Sequence, residues 1–112
     1  MVALFSYGTL RQREVQLATY GRELEGSPDV LLGYRLEPLV ITDPNVVRIS
    51  GKTVHMIARV TGDASDRIEG TLFEISKAEL AATDSYEVDV YNRVEVVLES
   101  GRNAFIYVGP SL

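Results

Sequence analysis

The chain has 112 residues, 46% of them hydrophobic and 24% charged, with nine glycines, four prolines and no cysteine. That is the size and balance of a single domain, expected over residues 1–112, that folds on apolar burial alone. The missing cysteines exclude a disulfide scaffold, a thiolate nucleophile and a thiolate metal site, and His55, the one histidine, leaves little for zinc or Ser-His-Asp chemistry.

Eleven Lys and Arg against sixteen Asp and Glu give a net charge of −5, with no basic run to reverse it locally. No nucleic-acid partner is expected from such a surface. The N-terminal MVALFSYGTLRQ is too short in apolar residues, and lacks the basic lead, to be a signal peptide. No window approaches the roughly 18 apolar residues of a membrane span, so a cytoplasmic protein is expected. The charge mildly favours a monomer, and nothing else in the sequence speaks to oligomeric state.

In chain order, Val2 to Tyr7 is an apolar run ending at Gly8 and predicts a buried strand. A short helix is expected from about Arg11 to Tyr20, with Gly21 as its left-handed terminator. Val30 to Leu39 reads as a second strand, and Pro38 and Pro44 confine the next stretch to an edge or a loop. Val46 to Ile49 and Thr53 to Val60, separated by Ser50-Gly51, read as a hairpin, and Thr61 to Arg67 as a polar loop. Ile68 to Ile75 is a strand whose Gly70 marks a bulge or a close backbone approach.

Ser76-Lys77-Ala78-Glu79 fits a capping box opening a helix to about Thr83, which the chain leaves at Asp84-Ser85-Tyr86-Glu87. Tyr91 to Glu99, the turn at Ser100-Gly101 and Asn103 to Val108 form a closing hairpin. Many short strands with two short helices predict a barrel-like α+β domain.

Two segments can carry chemistry. In Tyr7-Gly8-Thr9-Leu10-Arg11, a glycine between a buried strand and a helix lets backbone amides point into a concavity suited to a carboxylate. The alternative is a plain strand-to-helix turn. In the second, Asp84, Glu87 and Asp89 are interleaved with Tyr86 and Tyr91 and followed by Arg93. A carboxyl boxed in by aromatic rings loses solvation, and its pKa rises toward values useful for proton transfer. The alternative is a solvated acidic turn. Arg93 is expected to pair with Asp84 or Glu87 rather than meet substrate. His55 reads as a structural residue, and Asp63 and Asp66 lack the closing glutamate of a calcium loop.

Together, FSYGTLR at 5–11, IEGTLFEI at 68–75 and DSYEVDVYNRVEV at 84–96 with a terminal FIYV resemble the γ-glutamylcyclotransferase-like family, which includes AIG2-like proteins and γ-glutamylamine cyclotransferases. The resemblance covers Phe5 to Val108. It implies a small mixed β-barrel with short helices outside and one pocket at its mouth. It also implies that backbone groups of Tyr7, Gly8, Thr9 and Leu10 hold a γ-glutamyl end, that Glu87 transfers protons, and that Tyr91 walls the pocket. Thr83 stands where the family has leucine, a packing change at a helix end.

The implied reaction closes the substrate's α-amino group onto its γ-carbonyl, releasing 5-oxoproline and an amine or amino acid, with no metal or cofactor. For this Glu87 must be partly buried with a raised pKa. Two other readings keep the fold: removal of a γ-glutamyl group from a larger biosynthetic intermediate, or small-molecule binding without turnover.

Overall fold

A computed structural model describes residues 1–40, 54–87 and 91–109 of the chain. The N-terminal apolar run forms strand β1, Val2–Ser6. It lies between β5, Arg67–Ile75, which runs antiparallel, and β7, Asn103–Val108, which runs parallel. Alternate residues of a strand point to opposite faces. Phe5, Leu72 and Ile106 therefore enter an inner cluster, while Leu4, Phe73 and Tyr107 enter a second one shared with the helices. Burial on both faces is why β1 reads as an apolar run rather than an alternating one.

The other strands are β2, Gly26–Leu32, β3, Tyr34–Val40, β4, Val54–Val60, and β6, Asn92–Val97. Among the described residues the sheet runs β2-β5-β1-β7-β4-β3, and β6 pairs with β7. A strand has two edges. β6 occupies one edge of β7 throughout, so β1 and β4 succeed one another along the other, at Phe105 and at Val108. The place where they part is where the cavity described below opens.

The expected mixed α+β architecture is present, and among the described residues its barrel-like sheet is not closed. Its terminal strands, β2 and β3, are joined through Gly33 alone, which brings the two free edges near each other. This also corrects the single strand expected from Val30 to Leu39. Gly33 adopts φ +81°, a left-handed conformation that breaks the strand, and its carbonyl accepts from the amides of Thr61 and Gly62. β2 begins earlier than expected, at Gly26, because Ser27 and Pro28 pair with Leu72 and Thr71 at the sheet's edge. Pro28 and Pro38 both lie in edge strands, where a missing N–H does least harm.

β4 has β3 as its antiparallel partner. The partner expected for it, Val46 to Ile49, lies outside the described residues, as do the Ser50-Gly51 turn, Pro44 and Asp89. The closing hairpin is as expected, β6 and β7 pairing from Asn92 with Val108 to Val97 with Asn103. Gly70 marks a close approach: a Cβ there would lie 2.5 Å from the Ser6 carbonyl oxygen.

The expected first helix is split. Thr9–Arg11 is a 3-10 turn, Gln12 is extended, and helix α1 is Arg13–Tyr20, ended by Gly21 at φ +72°. Gln16 is buried. Its Nε2 donates to the Leu10 carbonyl and its Oε1 accepts from the Leu24 amide, so it ties the end of the turn to the chain beyond α1.

Helix α2, Lys77–Tyr86, opens with the expected capping box between Ser76 and Glu79. It runs three residues past Thr83 because Tyr86 is buried as an apolar anchor, and Glu87 is its C-terminal cap. Thr83 is fully buried, its hydroxyl donating to the Glu79 carbonyl and accepting from Tyr20, which fastens α1 to α2.

Arg22 grips the same Glu79 through two bonds of 2.7 and 2.8 Å and, with the Ser76 contacts, holds its carboxyl down at about 2. A depressed carboxyl contributes stability above its ordinary value of 4.5 and loses it as pH falls toward 2. Glu79→Ala should therefore destabilise the fold by about 1–2 kcal/mol at pH 7. Urea unfolding at pH 7 and pH 3 should show the gap to wild type narrowing in acid.

Candidate active site

Where β1 ends, the chain enters Tyr7-Gly8-Thr9-Leu10 and lines a cavity of about 600 Å³. Phe5, Met56, Glu87, Tyr91 and Tyr107 complete much of the wall. The three loop side chains turn away into the protein. The Tyr7 hydroxyl donates to the Tyr107 carbonyl at 2.6 Å and accepts from the Ala58 amide at 3.0 Å, bridging β7 and β4 where β1 leaves β7. Thr9 Oγ1 lies 2.6 Å from the Tyr86 hydroxyl, and Leu10 is buried in the cluster beneath the helices.

Gly8 has no side chain, and a Cβ built on it would meet nothing within 4 Å. What the loop turns toward the cavity is therefore backbone. Among the described residues no acceptor pairs with the Thr9 or Leu10 amide, and the Gly8 amide has only a long 3.4 Å contact to Ser6 Oγ. Arg11 braces the loop from below, Nη2 donating to the Tyr7 carbonyl and Nε to that of Gly8.

The bond between Thr9 and Tyr86 brings the two sequence segments together. Tyr86 closes α2, and Glu87 comes next with extended dihedrals (φ −70°, ψ 142°), its amide still held by the Thr83 carbonyl at 3.0 Å. The carboxyl of Glu87 lines the cavity, and among the described residues no donor bonds to it. Burial alone pushes its pKa up to about 8 from 4.5. The expectation of a raised value is met, and the cause is the expected loss of water.

Burial likewise raises the tyrosines Tyr7, Tyr91 and Tyr107, and the nearby Glu87 charge adds to it, so all three stay neutral hydroxyls. Tyr91 stands on the cavity wall, its hydroxyl 3.3 Å from the Met56 carbonyl. Arg93 pairs with Asp84 at 2.6 Å, as one of the expected alternatives had it, and lies over the Phe105 ring. Asp84 also accepts from the Tyr107 hydroxyl at 2.5 Å. Tyr107 and Met56 are wall residues that sequence reading missed. Strand periodicity assigns each a face of the sheet but not the helix or loop it will meet.

A family model described as gamma-glutamyl cyclotransferase, AIG2-like, matches residues 4–111. The chain belongs to that family. No curated protein matches it by sequence. Several solved structures share the fold of this AIG2-like chain. A gamma-glutamyl cyclotransferase superposes with a TM-score of 0.73 at 14% identity, over 98% of this chain and 67% of its own length. An uncharacterized protein from Pyrococcus horikoshii gives 0.66 at 21% identity, over 97% and 78%. A protein from Arabidopsis thaliana gives 0.69 at 24% identity, over 96% and 61%. The AIG2-like chain thus spans only about three fifths to four fifths of these structures' length. Membership of the family implies an enzyme of the cyclotransferase kind acting on a small molecule.

Proposed function

We propose that this AIG2-like domain is a cofactor-independent cyclotransferase that converts a γ-glutamyl amine or γ-glutamyl amino acid to 5-oxoproline and a free amine, with Glu87 as general acid and base. One observation carries the reading: a buried carboxyl with no partner among the described residues, its pKa raised by that burial, faces the same cavity as a loop offering bare backbone amides. Tyr7, Gly8, Thr9 and Leu10 anchor the γ-glutamyl end through that backbone, and Tyr91 walls the bound substrate.

The substrate's α-ammonium gives a proton to ionised Glu87, and the freed nitrogen attacks the γ-carbonyl. Attack forms the ring C–N bond and leaves that nitrogen with two protons. Glu87 passes the first proton to the leaving nitrogen as the exocyclic C–N bond breaks, then takes the second from the ring nitrogen and gives it to the departing amine. The amine leaves as an ammonium while Glu87 returns to its ionised form. Holding the chain folded for five-membered closure removes on the order of 7–11 kcal/mol of barrier. Proton transfer adds about 10²–10⁴-fold.

The test is 5-oxoproline release from a panel of γ-glutamyl amino acids, γ-glutamyl amines and γ-glutamyl-ε-lysine. Release by wild type that disappears in Glu87→Gln is expected. Undiminished release by the variant removes Glu87 from its role, and no release from any compound removes the reaction.

A further inference from the structure

Eight arginines lie among the described residues, and seven of them pair with a carboxylate: Arg13, Arg22, Arg35, Arg59, Arg67, Arg93 and Arg102. The eighth is Arg11, and it is also the one basic side chain in the described lining of the cavity. Its Nε and Nη2 each donate to a loop carbonyl, at 3.3 and 3.0 Å. A guanidinium carries five N–H donors, so Nη1 and the second Nη2 proton are left for another acceptor. In a chain with sixteen acidic residues against eleven basic ones, a cation with no acid partner among the described residues beside a cavity invites one from a ligand.

We infer that Arg11 receives a carboxylate carried by the leaving group, so that the preferred substrate is a γ-glutamyl amino acid rather than a γ-glutamyl amine. The inference rests on the cyclotransferase reading above. A γ-glutamyl amine brings one ammonium and one carboxylate and no net charge. A γ-glutamyl amino acid brings a second carboxylate and a net charge of about −1 at neutral pH, given ordinary carboxyl and amino pKa values. With Glu87 largely protonated in the empty site, the described lining carries the single positive charge of Arg11 and complements the second kind of molecule. The braces to Tyr7 and Gly8 fix the fork before a ligand arrives, and a held guanidinium matches a carboxylate with little further ordering.

Two compounds that differ by one carboxylate test this: γ-glutamylalanine and γ-glutamylethylamide. Their 5-oxoproline release is measured with wild type, Arg11→Gln and Arg11→Lys, and their calorimetric binding with Glu87→Gln and Glu87→Gln/Arg11→Gln. Proteins with Arg11 should prefer the alanine compound by about tenfold, the size of a partly exposed charge-assisted bond. Arg11→Gln should lose that preference: losing the braces weakens both compounds, and the alanine compound should fall by about a further tenfold. Arg11→Lys should keep part of it, because charge is retained and the fork is lost.

In wild type the preference should shrink as salt rises, since the pair is open to solvent. Weakening of both compounds in Arg11→Gln by the same factor, with the preference between them retained, assigns Arg11 to bracing alone or to the shared glutamyl end, and overturns the inference. A wild-type preference without salt dependence also overturns it. Wild type that neither binds nor turns over either compound overturns the cyclotransferase reading itself, a different result from binding both alike.

Discussion

Glu87→Gln is expected to fold more stably than wild type at pH 9 while losing 5-oxoproline release by about 10²–10⁴-fold. The stability gain arises from the carboxyl's raised pKa, about 8 in the fold against an ordinary 4.5. Between those values the folded state holds a proton that the unfolded chain has released. Raising the pH then favours unfolding, by about 1.4 kcal/mol for each unit of the window. The penalty is absent below 4.5, grows through the window and is complete above 8. A glutamine carries none of it. Urea midpoints of the two proteins should coincide near pH 4 and separate steadily to pH 9, with the variant the more stable. Parallel curves would mean that the carboxyl is solvated in the folded protein.

The same group sets the pH dependence of turnover. A productive complex holds one proton between the substrate ammonium and Glu87. In the free enzyme Glu87 must ionise first, so kcat/KM should rise with pH to a midpoint near 8. A bound ammonium beside the carboxylate stabilises its charge, so the limb in kcat should lie at lower pH than the limb in kcat/KM. In Glu87→Gln the limb assigned to this carboxyl disappears from the residual rate. The site thus lowers the stability of the fold that holds it: water has been removed from an acid to make it a base at neutral pH.

The central strands were legible because both faces of β1, β5 and β7 are covered and the residues say so, with Leu4-Phe5, Leu72-Phe73 and Ile106-Tyr107 each sending one side chain to either cluster. The capping box at Ser76 and Glu79 was legible because it is local. The break at Gly33 was not, since its partners Thr61, Gly62 and Asp66 lie nearly thirty residues away or more. The length of α2 was hidden for a similar reason: Tyr86 stays helical because Thr9, 77 positions earlier, meets its hydroxyl. That contact also joins the two candidate segments. Each was ambiguous alone, as a turn or as a solvated acidic stretch, and the resemblance paired them before any distance could. Arg11 was seen only as the end of a motif, because its lack of an acidic partner among the described residues is a property of the folded surface.

Gly70→Ala and Gly8→Leu should fail in opposite ways. A Cβ on Gly70 would stand 2.5 Å from the Ser6 carbonyl oxygen and 2.6 Å from Phe5 Cζ, distances no packed carbon keeps, and the first neighbour is backbone. β1 must move away from β5 at the pair Ser6 with Thr71, costing about 1–3 kcal/mol. Ser6 is also the last residue before the loop, so the displacement travels into the Tyr7–Leu10 backbone and should raise KM as well. Gly8 has open space where its side chain would be and a negative φ, so leucine there should leave the urea midpoint within about 0.5 kcal/mol of wild type. Its side chain would project beside the loop's amides, and KM should rise with little loss of fold. Midpoint and KM measured together on both variants separate the two causes. A Gly8→Leu protein with unchanged KM would move the γ-glutamyl anchor away from this loop, whatever Glu87 does.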